Sequence, residues 1–223
     1  MQNTVRAEFH CHTEYSADSL VRVEDLLATC VRKGIDKIAI TDHNAVEGAM
    51  IAREMDPNRV IIGEEIMTTE GEILGYFLKE LVQPYMSPMK TIEALKKQNA
   101  FISVAHPFDT MRGSSWRKKT LEEMLPHLDA LEVFNARCRL AEFNEQAYLA
   151  AERADLLKMV GSDAHSLLEV GRASLTMPDF SDANSLRKAL PLSEFNGELS
   201  GAWVHLISTY AKFHKRVLGR EMD

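Results

Sequence analysis

Cysteine is scarce and unpatterned. The chain carries three, Cys11, Cys30 and Cys138, with no Cys-x-x-Cys pair and an odd thiol left over. That argues against a disulfide framework and for a reducing compartment, so a cytoplasmic location is expected. Positive charge is in deficit as well: 26 Lys and Arg stand against 33 Asp and Glu, for a formal net charge of -7. With a pI near 5.7, a surface for duplex nucleic acid or an anionic membrane is disfavoured, and an anionic substrate would need a local cation to receive it. Long apolar runs are missing too. No stretch of about 18 apolar residues occurs, and no apolar segment precedes the first expected strand, so neither a membrane span nor a signal peptide is expected. No fixed-period repeat or low-complexity tract stands out.

What is present is a 223-residue chain with 45% hydrophobic content, enough for one sizeable core and within the range of single-domain α/β barrels. Residues 1–223 are expected to form a single domain with a C-terminal helical tail over about 198–220. Short apolar strands alternate with amphipathic helices: Val5 to His12, then a helix from Val23 to Lys33 with Leu26, Leu27, Cys30 and Val31 on one stripe and Gly34 after it. The cycle recurs at Lys37 to Thr41, Arg59 to Gly63, Glu72 to Leu78, Ala100 to Ala105, Ala130 to Phe134 and Leu157 to Gly161, with a last strand at Ala173 to Met177. Such alternation predicts parallel βαβ units closed into a barrel or laid out as a doubly wound sheet. In the tail, Trp203, Leu206, Ile207, Tyr210, Phe213 and Val217 recur at helical spacing with Lys212, Lys215, Arg216 and Arg220 elsewhere, which predicts a helix packed through its apolar stripe. A membrane-surface helix is the sharper alternative.

The chemistry gathers at strand ends. His10 and His12, two residues apart on a strand, present two imidazoles to one side, with Asp18 on the following loop. Five of the eight histidines, His10, His12, His43, His106 and His165, fall at or just after the carboxyl end of an expected strand, where α/β sheets place their sites. Asp18, Asp42, Glu65, Glu72 and Asp163 share that rim. Imidazole and carboxylate together suit Zn, Fe and Mn. One ion uses about three to five protein ligands, so nine or more candidates imply two or three divalent ions bridged by carboxylates.

Taken in order, His10-Cys11-His12 with Tyr15-Ser16-Ala17-Asp18, Thr41-Asp42-His43, Gly63-Glu64-Glu65, Ala105-His106-Pro107 and Ser162-Asp163-Ala164-His165 resemble the motifs of the PHP (polymerase and histidinol phosphatase) family. The resemblance covers roughly residues 5 to 175. It implies a distorted (β/α)7 barrel with a bi- or trinuclear metal site, and phosphoester hydrolysis through water activated by the ions. By the same resemblance His10, His12, Glu65 and Asp163 would hold one ion, Glu65 would bridge to a second that His106 also binds, and Asp18, His43 and His165 would hold the third. The family often has a histidine where this chain has Glu72. An anionic oxygen there shifts preference towards Mn or Fe over Zn.

Around the ligands, Asp42 is expected either to orient a ligating ring or to cap a helix. Arg137 and Arg172, and less directly Arg112, are candidates to receive a phosphate, with a solvated surface charge as the alternative for each. Asn135 could orient substrate or water, or cap a loop. Glu132 shares its face. His127, His205 and His214 are read as surface or packing residues, and Cys11 as a small buried hydrophobe. The expected substrate is a small phosphomonoester, nucleotide or short oligonucleotide. The rivals are an amidohydrolase-like reaction and a non-catalytic metal-binding module.

Overall fold

The architecture is described from a computed structural model covering residues 3–113 and 115–218; Arg220 lies outside the described residues. Strand β1 (Thr4–Cys11), helix α1 (Val23–Lys33), β2 (Lys37–Ile40), α2 (Glu47–Met55) and β3 (Val60–Met67) make two repeats of strand and helix with parallel strands, and a tight turn leads to β4 (Glu72–Tyr76). Helix α3 (Pro88–Lys97), β5 (Phe101–Val104), α4 (Lys118–Met124), β6 (Ala130–Asn135), α5 (Ala141–Ala154) and β7 (Leu157–Gly161) complete the barrel segment. After it come β8 (Ala173–Pro178), α6 (Ala183–Ala189), β9 (Glu194–Gly197) and α7 (Val204–Leu218).

The nine strands form one sheet in the order β7-β6-β5-β4-β3-β2-β1-β8-β9. It curls until the end of β7 reaches β1: His12 N–H donates to the Ala164 carbonyl at 2.9 Å and Ala164 N–H to the His10 carbonyl at 3.3 Å. The result is a nearly closed barrel-like sheet. Its departure from uniform parallel pairing lies at β4, which runs antiparallel to both β3 and β5. The cause is local: the Thr68 hydroxyl donates to the Gly71 carbonyl and accepts from the amides of Glu70 and Gly71, closing a hairpin too short for the crossover a parallel neighbour requires. Strands β8 and β9 extend the sheet beyond β1 as an antiparallel pair.

Gly34 ends α1 at φ +64°, its N–H reaching the carbonyls of Cys30 and Val31, a left-handed cap that glycine adopts without strain. Leu26, Leu27 and Cys30 are buried as their spacing predicts, whereas Val31 faces solvent. All three cysteines are free and buried, and the Cys11 thiol donates to the Ala39 carbonyl at 3.2 Å. Among the described residues no helix is long and apolar enough to cross a membrane.

Helix α7 forms where its periodicity places it but packs the other way round. Val204 and Ala211 are buried, while Trp203, Leu206, Tyr210, Phe213 and Val217 are exposed. Polar contacts decide the rotation. Arg137 donates to Ser208 Oγ at 2.9 Å and to the Val204 carbonyl at 3.0 Å, and Lys215 Nζ bonds the carbonyls of Glu14 and Ser16.

Candidate metal centre

At the carboxyl ends of β1, β2, β3, β5 and β7 the buried side chains converge. Their donor atoms form three groups whose members lie within 4.8 Å of one another: His12, Asp18, His43 and His165; His10, His12 and Asp163; His43, Glu65 and Glu72. Glu65 is the hub. Its Oε2 stands 3.2 Å from His10 Nε2, 3.3 Å from His12 Nε2 and 3.1 Å from His43 Nδ1, and its Oε1 is 3.0 Å from His106 Nε2. The nine carboxylates and imidazoles expected as ligands are thus brought to one rim. Set against the expected grouping, His12 stands with His10 and Asp163 but also with Asp18, His43 and His165, and Glu65 stands with His43 and Glu72. Glu72 does not face solvent beside its turn: it is buried, 3.5 Å from His43 Nδ1 and 3.6 Å from His106 Nε2.

The donor chemistry fits divalent ions. His10 Nε2, His12 Nε2 and Glu65 Oε2 are buried without a hydrogen-bond partner among the described residues, a costly state for groups that nothing else satisfies. His10 Nδ1 donates to Glu132 Oε1 at 2.8 Å, which turns the Nε2 lone pair inward in the manner of a ligating histidine. Burial, helped by the neighbouring His165, pushes His12 down to about 3, so its ring is neutral. Burial alone would raise the carboxyls of Glu65 and Asp163. His43 and His10 outweigh it at Glu65, and Arg112 and His10 at Asp163, so both stay well below the usual carboxylate range. At His43 burial is outweighed in turn by Glu65 and Asp18, which raise the ring to about 10. Surroundings that hold a proton this tightly attract any cation that replaces it.

The rim is held under local strain. His106 and Asp163 take φ values of +29° and +53°, a region L-residues rarely enter and one that is enriched at functional sites. Gly161 supplies room: a Cβ there would stand 2.3 Å from Glu132 Oε1 and 2.4 Å from the His10 Cβ.

The remaining candidates divide. Asn135 is within the cluster, its Nδ2 donating to Glu132 Oε2 at 3.0 Å and Asp163 Oδ2 at 3.2 Å. Asp42 neither orients His43 nor caps α2. It accepts from Thr13 N–H at 2.5 Å and Thr13 Oγ1 at 2.6 Å, and so fixes the turn after His12. Arg137 is buried beneath α7, reaching Glu169 Oε1 at 3.3 Å and touching His165 Nδ1. A guanidinium only donates, so His165 Nδ1 serves either Arg137 or, as donor, the Asp163 carbonyl at 2.8 Å. The second choice leaves the lone pair on Nε2, which lies 3.2 Å from Asp18 Oδ1.

Arg172 is a correction. Gly171 turns the chain at φ +80° while its N–H is tied to Glu8 Oε2. Arg172 is thereby sent outward to an ion pair with Glu198 at 2.7 Å, away from the cluster. Arg112 takes the place near the donors, at 2.7 Å from Asp163 Oδ2 and 3.1 Å from Asp109 Oδ2. His205, read as a surface or packing residue, lines the cavity over the cluster, whose volume is about 780 Å³. His127 is exposed, as read. Sequence reasoning missed Lys212 and Ser208, which reach the rim from a helix outside every motif.

A barrel-like α/β fold with clustered imidazoles and carboxylates at its strand ends defines a protein with side chains able to hold metal ions there. The chain belongs to the PHP domain family, whose model matches residues 8–173. It is 36% identical over 147 residues to the uncharacterized protein MJ1587 of Methanocaldococcus jannaschii, covering 59% of this chain and 82% of that one. Among solved structures it superposes on a two-domain protein of Bacteroides vulgatus containing a predicted PHP-like metal-dependent phosphoesterase. The TM-score is 0.69 at 18% identity, over 88% of this chain and 66% of that one. An amidohydrolase of Chromobacterium violaceum, with sulfate bound and no metal, matches with a TM-score of 0.58 at 12% identity, over 71% of this chain and 87% of that one.

Proposed function

We propose that the chain is a metal-dependent phosphoesterase acting on a small phosphorylated substrate: a phosphomonoester, a nucleotide or a short oligonucleotide. The observation that carries this reading is the Glu65 carboxylate, shared within 3.3 Å by His10, His12 and His43, since one bridging carboxylate among several imidazoles suits two or three divalent ions. Ions held there would supply Lewis-acid polarisation of the phosphoryl oxygens and would acidify the attacking water. His10, His12, Asp18, His43, Glu65, Glu72, His106, Asp163 and His165 would hold them. Glu132 and Asn135 keep His10 and Asp163 in register, and Arg112 offsets part of the carboxylate charge. Glu72 biases the set towards Mn or Fe over Zn. The cavity is open enough for a small anion, while the net charge of -7 disfavours duplex nucleic acid.

A second reading, hydrolysis of an amide or related carbonyl compound, is favoured by the fold likeness to the Chromobacterium violaceum amidohydrolase, because the same donors can serve attack on carbon. Elemental analysis of the purified protein, beside turnover of p-nitrophenyl phosphate, bis-p-nitrophenyl phosphate and an amide panel, separates the two. Two or more equivalents of Mn or Fe with phosphatase activity are expected. His10→Ala and Asp163→Ala should each lower turnover about a hundredfold or more, with the circular dichroism spectrum unchanged. Amide hydrolysis alone would transfer the site to the second reading. Near wild-type turnover of either variant at equal metal loading would remove that residue from the site.

A further inference from the structure

We infer that Lys212, on helix α7, is a substrate-binding cation that receives the anionic oxygens of the phosphorylated substrate at the mouth of the cavity. The inference rests on the phosphoesterase reading and adds a residue beyond the family-matched segment, which ends at residue 173. It comes from asking which positive charges around the cavity are left for a ligand. Five Arg and Lys side chains line it: Arg112, Arg117, Arg137, Arg139 and Lys212.

Three of these are committed within the protein. Arg112 is held by Asp163 and Asp109. Arg117 lies against both carboxylate oxygens of Glu70. Arg137 is buried among Glu169, Ser208 and the Val204 carbonyl. No ion pair is found for Arg139 among the described residues, so nothing in the fold aims it at the donors.

Lys212 differs from all four. Its Nζ stands 3.3 Å from Asp18 Oδ2, yet its side chain is 63% exposed. It is therefore aimed at the cluster without being buried in it. Asp18 is also 3.2 Å from His165 Nε2 and 3.4 Å from His43 Nε2, so its charge belongs to the donor group that would hold an ion. Were Asp18 to serve an ion, that ion would compete for the one carboxylate paired with Lys212 among the described residues, while α7 still holds its stem in place through buried Val204 and Ala211 and the Ser208 and Lys215 contacts. A mobile ammonium beside polarised phosphoryl oxygens is the arrangement that binds phosphate as a point charge.

The test compares wild type, Lys212→Ala, Lys212→Arg and Arg216→Ala, the last an exposed cation on the same helix that does not line the cavity. Each is loaded with Mn. Calorimetric binding of inorganic phosphate, KM and kcat for p-nitrophenyl phosphate, and metal content are then measured. Loss of a charge-assisted contact should raise both the phosphate Kd and KM about tenfold or more in Lys212→Ala. Metal content should be unchanged, Lys212→Arg should recover most of the loss, and Arg216→Ala should match wild type. An unchanged phosphate Kd in Lys212→Ala, with wild type active, overturns the assignment alone. Raised metal content without a change in phosphate affinity also overturns it, leaving Lys212 as a counter-charge that competes for Asp18. A metal-loaded wild type that neither binds phosphate nor hydrolyses the ester overturns the phosphoesterase reading and this inference together.

Discussion

Glu72 shows how much one side chain can decide. It opens β4, is buried, and points its carboxylate at His43 and His106, so the hairpin that reverses β4 delivers it to the rim. If it holds an ion there, Glu72→His should move activity from Mn towards Zn with the fold intact, because a neutral nitrogen replaces an anionic oxygen. Glu72→Gln should lower metal content or turnover, and an isosteric amide with full metal and full rate would release Glu72 from the ligand set. The ligands themselves were legible in the sequence because a residue at a strand's carboxyl end has a fixed place in an α/β fold. Their supports were less so. Glu132 could be put on the right face by alternation, but its bonds to His10, the His106 amide and Asn135 depend on how β6 faces β1 across the barrel. Arg172 was misplaced for a related reason: its nearness in sequence to the Asp163 motif says nothing of the left-handed turn at Gly171 that sends it outward.

At the level of elements, α7 is the instructive case. Apolar spacing places a helix where α7 lies, yet most of its stripe faces solvent, and the face on the barrel mixes Val204 and Ala211 with Ser208 and Lys215. Periodicity reports amphipathicity, not which face meets the protein, and here buried Arg137 determines the answer by demanding acceptors from α7. That bond network makes Arg137 a structural residue more than a phosphate ligand. Arg137→Ala would leave Glu169 buried without its cation and strip Ser208 and the Val204 carbonyl of their donor. Removing one partner of a buried ion pair costs about 3 to 5 kcal/mol. Chemical denaturation should read a loss of that order, with α7 more open to proteolysis than in wild type. An unchanged midpoint together with a large rise in KM would return Arg137 to the substrate.

For the whole molecule, the barrel gathers more negative than positive charge at one end. Asp18, Glu65, Glu72, Glu132 and Asp163 are all buried there, faced by Arg112 and Lys212. Strand and helix alternation made the barrel legible, whereas the antiparallel β4 and the added β9 were not, since pairing direction follows from loop length and turn chemistry over the whole sheet. The charge surplus has a thermodynamic consequence. Without ions, protons on His10 and His43 offset part of it, since Glu65 together with Glu132 at His10 and Asp18 at His43 raises both rings against the effect of burial. The apo barrel should therefore remain folded but less stable. A ligand that binds only the native state at about a hundredfold above its Kd contributes about 2.7 kcal/mol, and for a chain of this size each kcal/mol moves Tm by about 2–4 °C. Chelation should lower Tm by about 5–10 °C, and Mn should restore it in a concentration-dependent way. In His10→Ala and Asp163→Ala the Mn-dependent shift should shrink, because each removes a donor. A Tm indifferent to chelator and to Mn in the wild type would mean that the cluster is satisfied by its own protons and charges, and that no ion belongs to it.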